Sequence, residues 1–116
     1  MAIPTIQDYR FGHMTVDGET HARDLILLPE RVVADWWRKE GHRLAVEDLQ
    51  EVLDAAPEVL VVGTGSYGLM KIPDETRQAV EAAGIELRAA RTDEAWQTYN
   101  DLRERRRTAG AFHLTC

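Results

Sequence analysis

The apolar run Val59-Leu60-Val61-Val62, which ends at Gly63, constrains the fold more than any other part of this sequence. A continuous apolar run bounded by a breaker is typical of a central strand that is covered on both faces. A helix is predicted next, opening at Pro73-Asp74 and closing at Gly84, and a strand is predicted over residues 85–90. Strands that alternate with helices in this way indicate right-handed crossovers and a largely parallel sheet.

The same alternation extends to both sides of these elements. An earlier helix is predicted up to Pro57, with apolar residues at three-to-four spacing at Leu44, Val46, Leu49, Val52 and Leu53. Thr92 is predicted to cap a third helix, whose apolar face carries Ala95, Trp96, Tyr99 and Leu102. A last strand is expected over residues 111–114.

The first third of the chain predicts short strands. Bulky and polar residues alternate there, and Asp17-Gly18 is a dipeptide that favours a tight hairpin turn. Pro29 stops an apolar run that is typical of a buried strand. Residues 32–37 stay open between a strand and a helical turn, since their β-branched and aromatic content lacks strict alternation. The predicted strands cover residues 6–11, 14–16, 19–23 and 25–28.

These elements describe one domain over residues 1–116. A chain of this length is close to the common size of a single domain, and it buries about two-thirds of the surface that its unfolded form exposes. The sequence contains neither a repeat nor a low-complexity tract nor a linker. We expect a three-layer α/β domain with a mixed, mostly parallel central sheet, helices and an N-terminal antiparallel β-meander.

The charge balance argues against several classes of protein. Lys and Arg number 14 against 20 Asp and Glu, and the net charge of -6 disfavours a broadly cationic surface for nucleic acid or an anionic membrane. No apolar run reaches the roughly 18 residues of a membrane span, and the N-terminus lacks the pattern of a secretory signal. The one cysteine, Cys116, cannot form an internal disulfide. We expect a cytoplasmic protein with no nucleic-acid partner and no membrane insertion.

The segment Gly63-Thr64-Gly65-Ser66-Tyr67-Gly68 matches the G-x-G-x-x-G pattern of dinucleotide-binding loops. In those loops a helix begins at the last glycine, whereas here Pro73 marks a later start. Arg88 and Arg91 stand where a ribose-binding acid would be expected, so a dinucleotide site is disfavoured. Two alternatives stay open: a wide loop whose backbone amides hold a small anion or a partner, and a purely structural turn.

Trp36-Trp37, followed by Arg38, Lys39 and His42, is the densest aromatic and basic cluster. Adjacent residues of an extended segment point to opposite faces, so one Trp is expected in the core and the other on the surface. An exposed Trp beside an exposed Arg38 would suit a protein interface, because Trp and Arg are enriched among the residues that dominate binding. The alternative is simple core packing of the aromatic rings.

His113 and Cys116 lie three positions apart near the end of the sequence. On a strand their side chains would point to opposite faces, and no second cysteine is present to complete a zinc site. His13, His21 and His42 have no recognisable ligand spacing, and no spacing of carboxylates selects an acid/base pair. We therefore predict no metal, no cofactor and no catalytic residue.

Three segments together carry a family resemblance: LILLPERVVADWWRKEGHRLAVEDL, PEVLVVGTGSYG and the ending AGAFHLTC. The chain resembles a small domain of unknown function shared by bacterial and archaeal hypothetical proteins, the animal adipogenesis-associated domain protein and a mitochondrial assembly factor for respiratory complex I. The resemblance extends over residues 6–116. It implies a three-layer α/β fold with a mixed sheet and no established catalytic activity.

The resemblance also implies a surface cleft near the glycines. The matching ligand-binding positions would be Gly63, Gly65, Ser66, Tyr67, Gly68 and Lys71, with Trp37 and His42 as further candidates. Our first hypothesis is a binding or assembly module that acts through a protein partner at Trp37, Arg38 and His42. The alternative is a small-molecule binding protein or enzyme, in which the loop amides and Lys71 hold an anionic group. Formation of a homo-oligomer is left open.

Overall fold

Residues 3–116 are described by the computed structural model, and the first of them form an antiparallel meander. Its strands are β1 (Ile6–Arg10), β2 (His13–Val16) and β3 (Glu19–His21). Asp17-Gly18 turns the chain between β2 and β3 with φ angles of 48° and 86°, as the predicted hairpin requires. Ile6, Met14 and Val16 are buried, so the meander covers part of the core.

The main sheet follows and has five strands. They are β4 (Leu25–Leu27), β5 (Val32–Val33), β6 (Val59–Thr64), β7 (Glu86–Ala90) and β8 (Thr108–His113). Their order is β5-β4-β8-β6-β7. β6 pairs in parallel with β7 and β8, whereas β4 runs antiparallel to both of its neighbours. The sheet is therefore mixed, as predicted, and β4 runs opposite to the other four strands.

Helices cover both faces of the main sheet and produce three layers. They are α1 (Gln50–Ala55), α2 (Asp74–Ala82) and α3 (Thr92–Arg103). Leu60 and Val62 of β6 pack in one core with α1 and α2, while Val59 and Val61 pack in another with α3 and the meander. The predicted α/β fold is confirmed. In the described part of the chain, no helix has the length and hydrophobicity that crossing a membrane requires.

Three local predictions differ from the structure. The first predicted helix starts later and is shorter, because a 3-10 turn, Val46–Leu49, leads into α1. Thr92 is the first residue of α3 instead of its cap. Its hydroxyl donates to the carbonyl oxygen of His113 at 2.6 Å and accepts the amide of Gly65 at 2.9 Å. The last strand, β8, spans Thr108–His113 instead of residues 111–114. Residues 32–37, which the sequence left open, contain one short strand, β5.

The carboxyl ends of β6 and β8 meet at one edge of the main sheet, where Thr64 pairs with His113. Because β4 runs in the opposite direction, its first residue, Leu25, lies at this edge opposite Phe112. Open α/β sheets bind ligands beyond the carboxyl ends of their parallel strands. This edge therefore brings the ends of β6 and β8 together with the residues that precede β4.

Candidate functional site

Residues 63–68, the last two residues of β6 and the turn that follows, are called the glycine loop below, and three of its amides donate within the protein. The amide of Gly65 donates to Thr92 Oγ1 at 2.9 Å, and that of Ser66 donates to the carbonyl oxygen of Thr115 at 2.6 Å. The amide of Gly68 closes a turn onto the carbonyl oxygen of Gly65 at 3.1 Å. These three donors are not free for a ligand, so the geometry does not favour a loop of amides around an anion.

Packing explains why glycines occupy this loop. Gly65 has a φ of +103°, and a Cβ placed on it would overlap the backbone carbonyl group of Cys116. A Cβ on Gly63 would lie 2.7 Å from Thr92 Oγ1 and 2.8 Å from the ring of Phe112. The first two glycines of the motif therefore allow the loop to lie against the C-terminal segment and the start of α3.

The polar side chains of the loop are held or exposed in different ways. The hydroxyl groups of Ser66 and Tyr9 lie 2.6 Å apart, and Tyr9 donates to the carbonyl oxygen of Leu114 at 2.8 Å. Burial raises the pKa of Tyr9, which favours the protonated donor. Tyr67 is exposed, and so is Lys71, whose backbone amide donates to the carbonyl oxygen of His42 at 2.8 Å. Ser66 thus joins a structural network, while Tyr67 and Lys71 face the surface.

The two tryptophans have opposite environments, as their adjacency predicts. Asp35 precedes them with a φ of 54°, a left-handed conformation that Asp tolerates better than most residues. Trp36 is 9% exposed, and its Nε1 donates to the carbonyl oxygen of Asp48 at 3.0 Å. Trp37 is 77% exposed. Residues 35–39, called the Trp37 loop below, therefore bury one indole and present the other to the surface.

Arg38 is buried, so the prediction that it lies on the same exposed surface as Trp37 is wrong. Its Nη1 donates to Asp24 Oδ2 at 2.7 Å, and its Nη2 donates to the carbonyl oxygen of Gly41 at 2.7 Å. The guanidinium carbon lies 4.7 Å from the centre of the Trp36 ring. The physical reason is the carboxylate of Asp24, which is partly buried, with 17% of the side chain exposed, and needs a positively charged partner.

Asp24, Arg38 and His113 form one cluster, called the buried ion cluster below. His113 Nδ1 lies 2.8 Å from Asp24 Oδ2, and we assign its proton to that contact. The amide of Leu114 donates to Asp24 Oδ1 at 2.8 Å. Burial raises the pKa of Asp24, but the hydrogen bonds from His113, Leu114 and Arg38 outweigh it and hold the pKa of this carboxyl below its ordinary value.

The cluster also connects the predicted site residues to one another. The ring of His42 is exposed and lies edge-on to that of His113, with 5.7 Å between the ring centres. A Cβ on Gly65 would lie 2.8 Å from Cδ2 of His113, so the glycine loop contacts the same imidazole. Sequence reasoning named Arg38 and His42 but missed Asp24 and the contact of Asp24 with His113, because these two residues are 89 positions apart.

Trp37 stands between two open surface grooves. The larger has a volume of about 550 Å³, and we call it the Trp37 groove; the smaller has a volume of about 240 Å³ and includes Asp24 and Arg23. Neither of these two grooves contains a residue of the glycine loop. The Trp37 groove is lined by Val33, Asp35, Trp36, Trp37, Lys39, Glu47, Asp48, Gln50 and Glu51.

A comparison with protein-family models identifies the chain. The model described as protein of unknown function (DUF498/DUF598) matches residues 6–113. The chain belongs to this family. This match confirms the resemblance to a family of unknown function. The glycine loop, the Trp37 loop and the buried ion cluster all lie within the matched residues of the DUF498/DUF598 domain.

Solved structures similar to this DUF498/DUF598 domain come from several organisms. The conserved hypothetical protein PH1505 of Pyrococcus horikoshii is 28% identical, with a TM-score of 0.82, and the match covers 97% of this chain and 99% of that chain. A protein of Bordetella parapertussis is 29% identical, with a TM-score of 0.82 and 98% of each chain covered. A protein of Bartonella henselae, described as an outer membrane protein, is 25% identical, with a TM-score of 0.84 and coverage of 99% and 98%.

Proposed function

We propose that this chain is a non-catalytic protein-binding module whose main contact residue is Trp37. The observation that carries the proposal is the 77% exposure of this indole between two residues, Trp36 and Arg38, that are both buried. A large exposed aromatic ring gains much from burial against a partner, and Trp is enriched among the residues that dominate interface energies. The exposed ring also lies beside grooves that a partner could fill.

The anchoring of the Trp37 loop supports the proposal further. The amide of Trp36 donates to the carbonyl oxygen of Asp24 at 2.8 Å, and the amide of Lys39 donates to Asp48 Oδ1 at 3.2 Å. The backbone is therefore fixed on both sides of Trp37. A preorganised contact residue loses little conformational freedom when a partner binds, which favours affinity.

The family resemblance agrees with a function that depends on a partner. The members that it includes, the adipogenesis-associated domain protein and the assembly factor for respiratory complex I, suggest an assembly role by analogy of fold. The proposal also places the module in the cytoplasm, because Cys116 has no second cysteine with which to form an internal disulfide. A small-molecule role at the glycine loop receives less support, since the amides of Gly65, Ser66 and Gly68 already donate within the chain.

Site-specific photocrosslinking in cells tests the proposal. A photoreactive phenylalanine analogue replaces Trp37 in one protein and Gln78, an exposed residue of α2, in the control. We expect a discrete crosslinked species at position 37 that is absent at position 78. The captured protein, once purified, should bind the Trp37→Ala variant at least about 30-fold more weakly, as expected for a dominant interface residue. Equal crosslinking at both positions, or unchanged affinity of Trp37→Ala, would contradict the proposal.

A further inference from the structure

The Trp37 groove is acidic as well as aromatic. Its charged lining residues are Lys39 and four carboxylates, those of Asp35, Glu47, Asp48 and Glu51. Two of these carboxylates are paired with arginines outside the lining, Asp35 with Arg23 at 3.9 Å and Glu51 with Arg31 at 3.0 Å. Glu47 and Asp48 still outnumber Lys39, so the groove keeps a negative charge, which favours cations near the exposed indole. The chemistry of this lining therefore differs from that of a purely apolar docking surface.

The carboxylates of the groove are not equally available to a partner. Asp48 already accepts the amides of Ala45 at 2.9 Å and Lys39 at 3.2 Å, and Glu51 pairs with Arg31 at 3.0 Å. Glu47 is exposed and forms no ion pair or side-chain hydrogen bond within residues 3–116. An exposed carboxylate of this kind in an acidic groove is the natural partner for a cation brought by another molecule.

Trp37 supplies the second half of a cation-binding arrangement. The face of an indole attracts ammonium and guanidinium groups, and arginine in addition stacks on the ring. In the same chain, Arg38 already lies over the ring of Trp36, with 4.7 Å between the guanidinium carbon and the ring centre. Trp37 offers a comparable ring to a cation from outside, within a groove whose volume of about 550 Å³ accommodates an arginine side chain.

We infer that the partner of Trp37 presents a basic segment, and that an arginine or lysine of this segment enters the Trp37 groove, contacts the indole and pairs with Glu47. This inference rests on the proposed function, because it assigns a chemistry to the partner at the same surface. The charge complementarity of the groove favours this occupant over a second copy of the chain or an uncharged apolar segment.

A pair of labelled peptides tests the inference directly. The first is a fluorescein-labelled hexapeptide of alternating Gly and Arg, and the second has Glu in place of Arg. In the ¹⁵N-labelled protein, we expect the Arg peptide to shift the indole resonance of Trp37 but not that of Trp96, which lies on α3 outside the groove, and the Glu peptide to shift neither. The binding should weaken between about 50 and 200 mM salt, because the contact is exposed to screening.

Variants of exposed residues then assign the binding to the groove. Glu47→Lys and Trp37→Ala should each weaken the binding of the Arg peptide by about fivefold, as expected for one exposed ion pair or cation–π contact. Lys39→Glu should tighten it by about threefold, because it removes the one positive charge of the groove. Glu81→Lys, on an exposed position of α2 outside the groove, is the charge-matched control and should change little.

The outcomes separate this inference from the proposed function. A partner crosslinked at position 37 whose affinity does not respond to Glu47→Lys or Lys39→Glu would overturn the inference and leave the proposed function standing. Equal weakening by Glu47→Lys and Glu81→Lys would also overturn it, since the effect would then be one of net charge. Concentration-dependent dimers that are lost in Trp37→Ala would assign the groove to a second copy and contradict a basic partner. Absence of any product specific to position 37 would contradict the proposed function itself.

Discussion

The glycine loop and the Trp37 loop lie at the same edge of the sheet, but they differ in what they leave free. The glycine loop has a recognisable motif, yet the amides of Gly65, Ser66 and Gly68 all donate within the chain. The Trp37 loop matches no motif of ligand binding, yet it presents an indole that is 77% exposed. The comparison shows that a motif specifies a backbone conformation, whereas binding depends on the groups that remain unpartnered.

Both loops are held by contacts within the domain, but the contacts differ in kind. Neutral backbone hydrogen bonds and close packing on Cys116 hold the glycine loop. Buried side chains hold the Trp37 loop, namely Trp36 and the charged group of Arg38, which is paired with Asp24. Substitutions that remove one type of support should therefore affect one loop more than the other.

The largest expected effect separates the two tryptophans of the Trp37 loop. Trp36→Ala should reduce the free energy of unfolding by about 4 kcal/mol, because it opens a cavity under the loop. Trp37→Ala should change it by less than about 0.5 kcal/mol, since an exposed side chain loses few contacts. Urea denaturation followed by circular dichroism measures both values. Similar losses in the two variants would show that Trp37 packs against the domain and is not free for a partner.

The next effect concerns the glycine loop. Gly65→Ala should reduce the free energy of unfolding by about 3 kcal/mol, because the new methyl group meets the backbone of Cys116 at a φ that alanine rarely adopts. Gly18→Ala is the matched control, with a φ of +86° and no atom within 4 Å of the added Cβ. It should cost only the strain of the positive φ, about 1 kcal/mol. Equal losses would mean that the glycine loop is not tightly packed.

Much of the fold could be predicted because its signals are local. The apolar run of β6, the Asp17-Gly18 turn and the left-handed Gly84, with a φ of 79°, each depend on a few neighbouring residues. Thr92 was misplaced as a cap because its hydroxyl bonds instead with Gly65 and His113, which are 27 and 21 positions away. No local pattern contains such partners.

The candidate site was less predictable for the same reason. The opposite environments of Trp36 and Trp37 follow from adjacency alone. The burial of Arg38 does not, because Asp24 and His113 lie 14 and 75 positions from it and are brought to it by the order of the strands. A net charge of -6 likewise gave no indication that the Trp37 groove is acidic, since that depends on which carboxylates the fold brings together.

The smallest expected effect concerns the Asp24 carboxylate, which supports the Trp37 loop, and it is tested by varying the pH. Asp24→Asn should reduce the free energy of unfolding by about 2 kcal/mol at pH 6, because it weakens the hydrogen bonds that this carboxylate accepts from Arg38 and His113. The pKa of Asp24 is lower in the folded protein than its ordinary value, so its carboxylate stabilises the fold above about pH 4. This stabilisation is lost as the pH falls through the lowered pKa.

The difference in stability between wild type and Asp24→Asn should therefore be largest near pH 6 and should shrink steadily as the pH falls below about 4. Taking the difference cancels the pH-dependent contribution of carboxylates that both proteins share. Glu86, whose pKa is lowered by Arg106 and Arg88, is one of them. Urea denaturation at several pH values measures it, and Gly18→Ala serves as a control whose deficit should stay constant, because its added Cβ meets no atom within 4 Å. A deficit of Asp24→Asn that does not change with pH would show that the negative charge of Asp24 does not stabilise the Trp37 loop. The contrast between the two loops would then rest on packing alone.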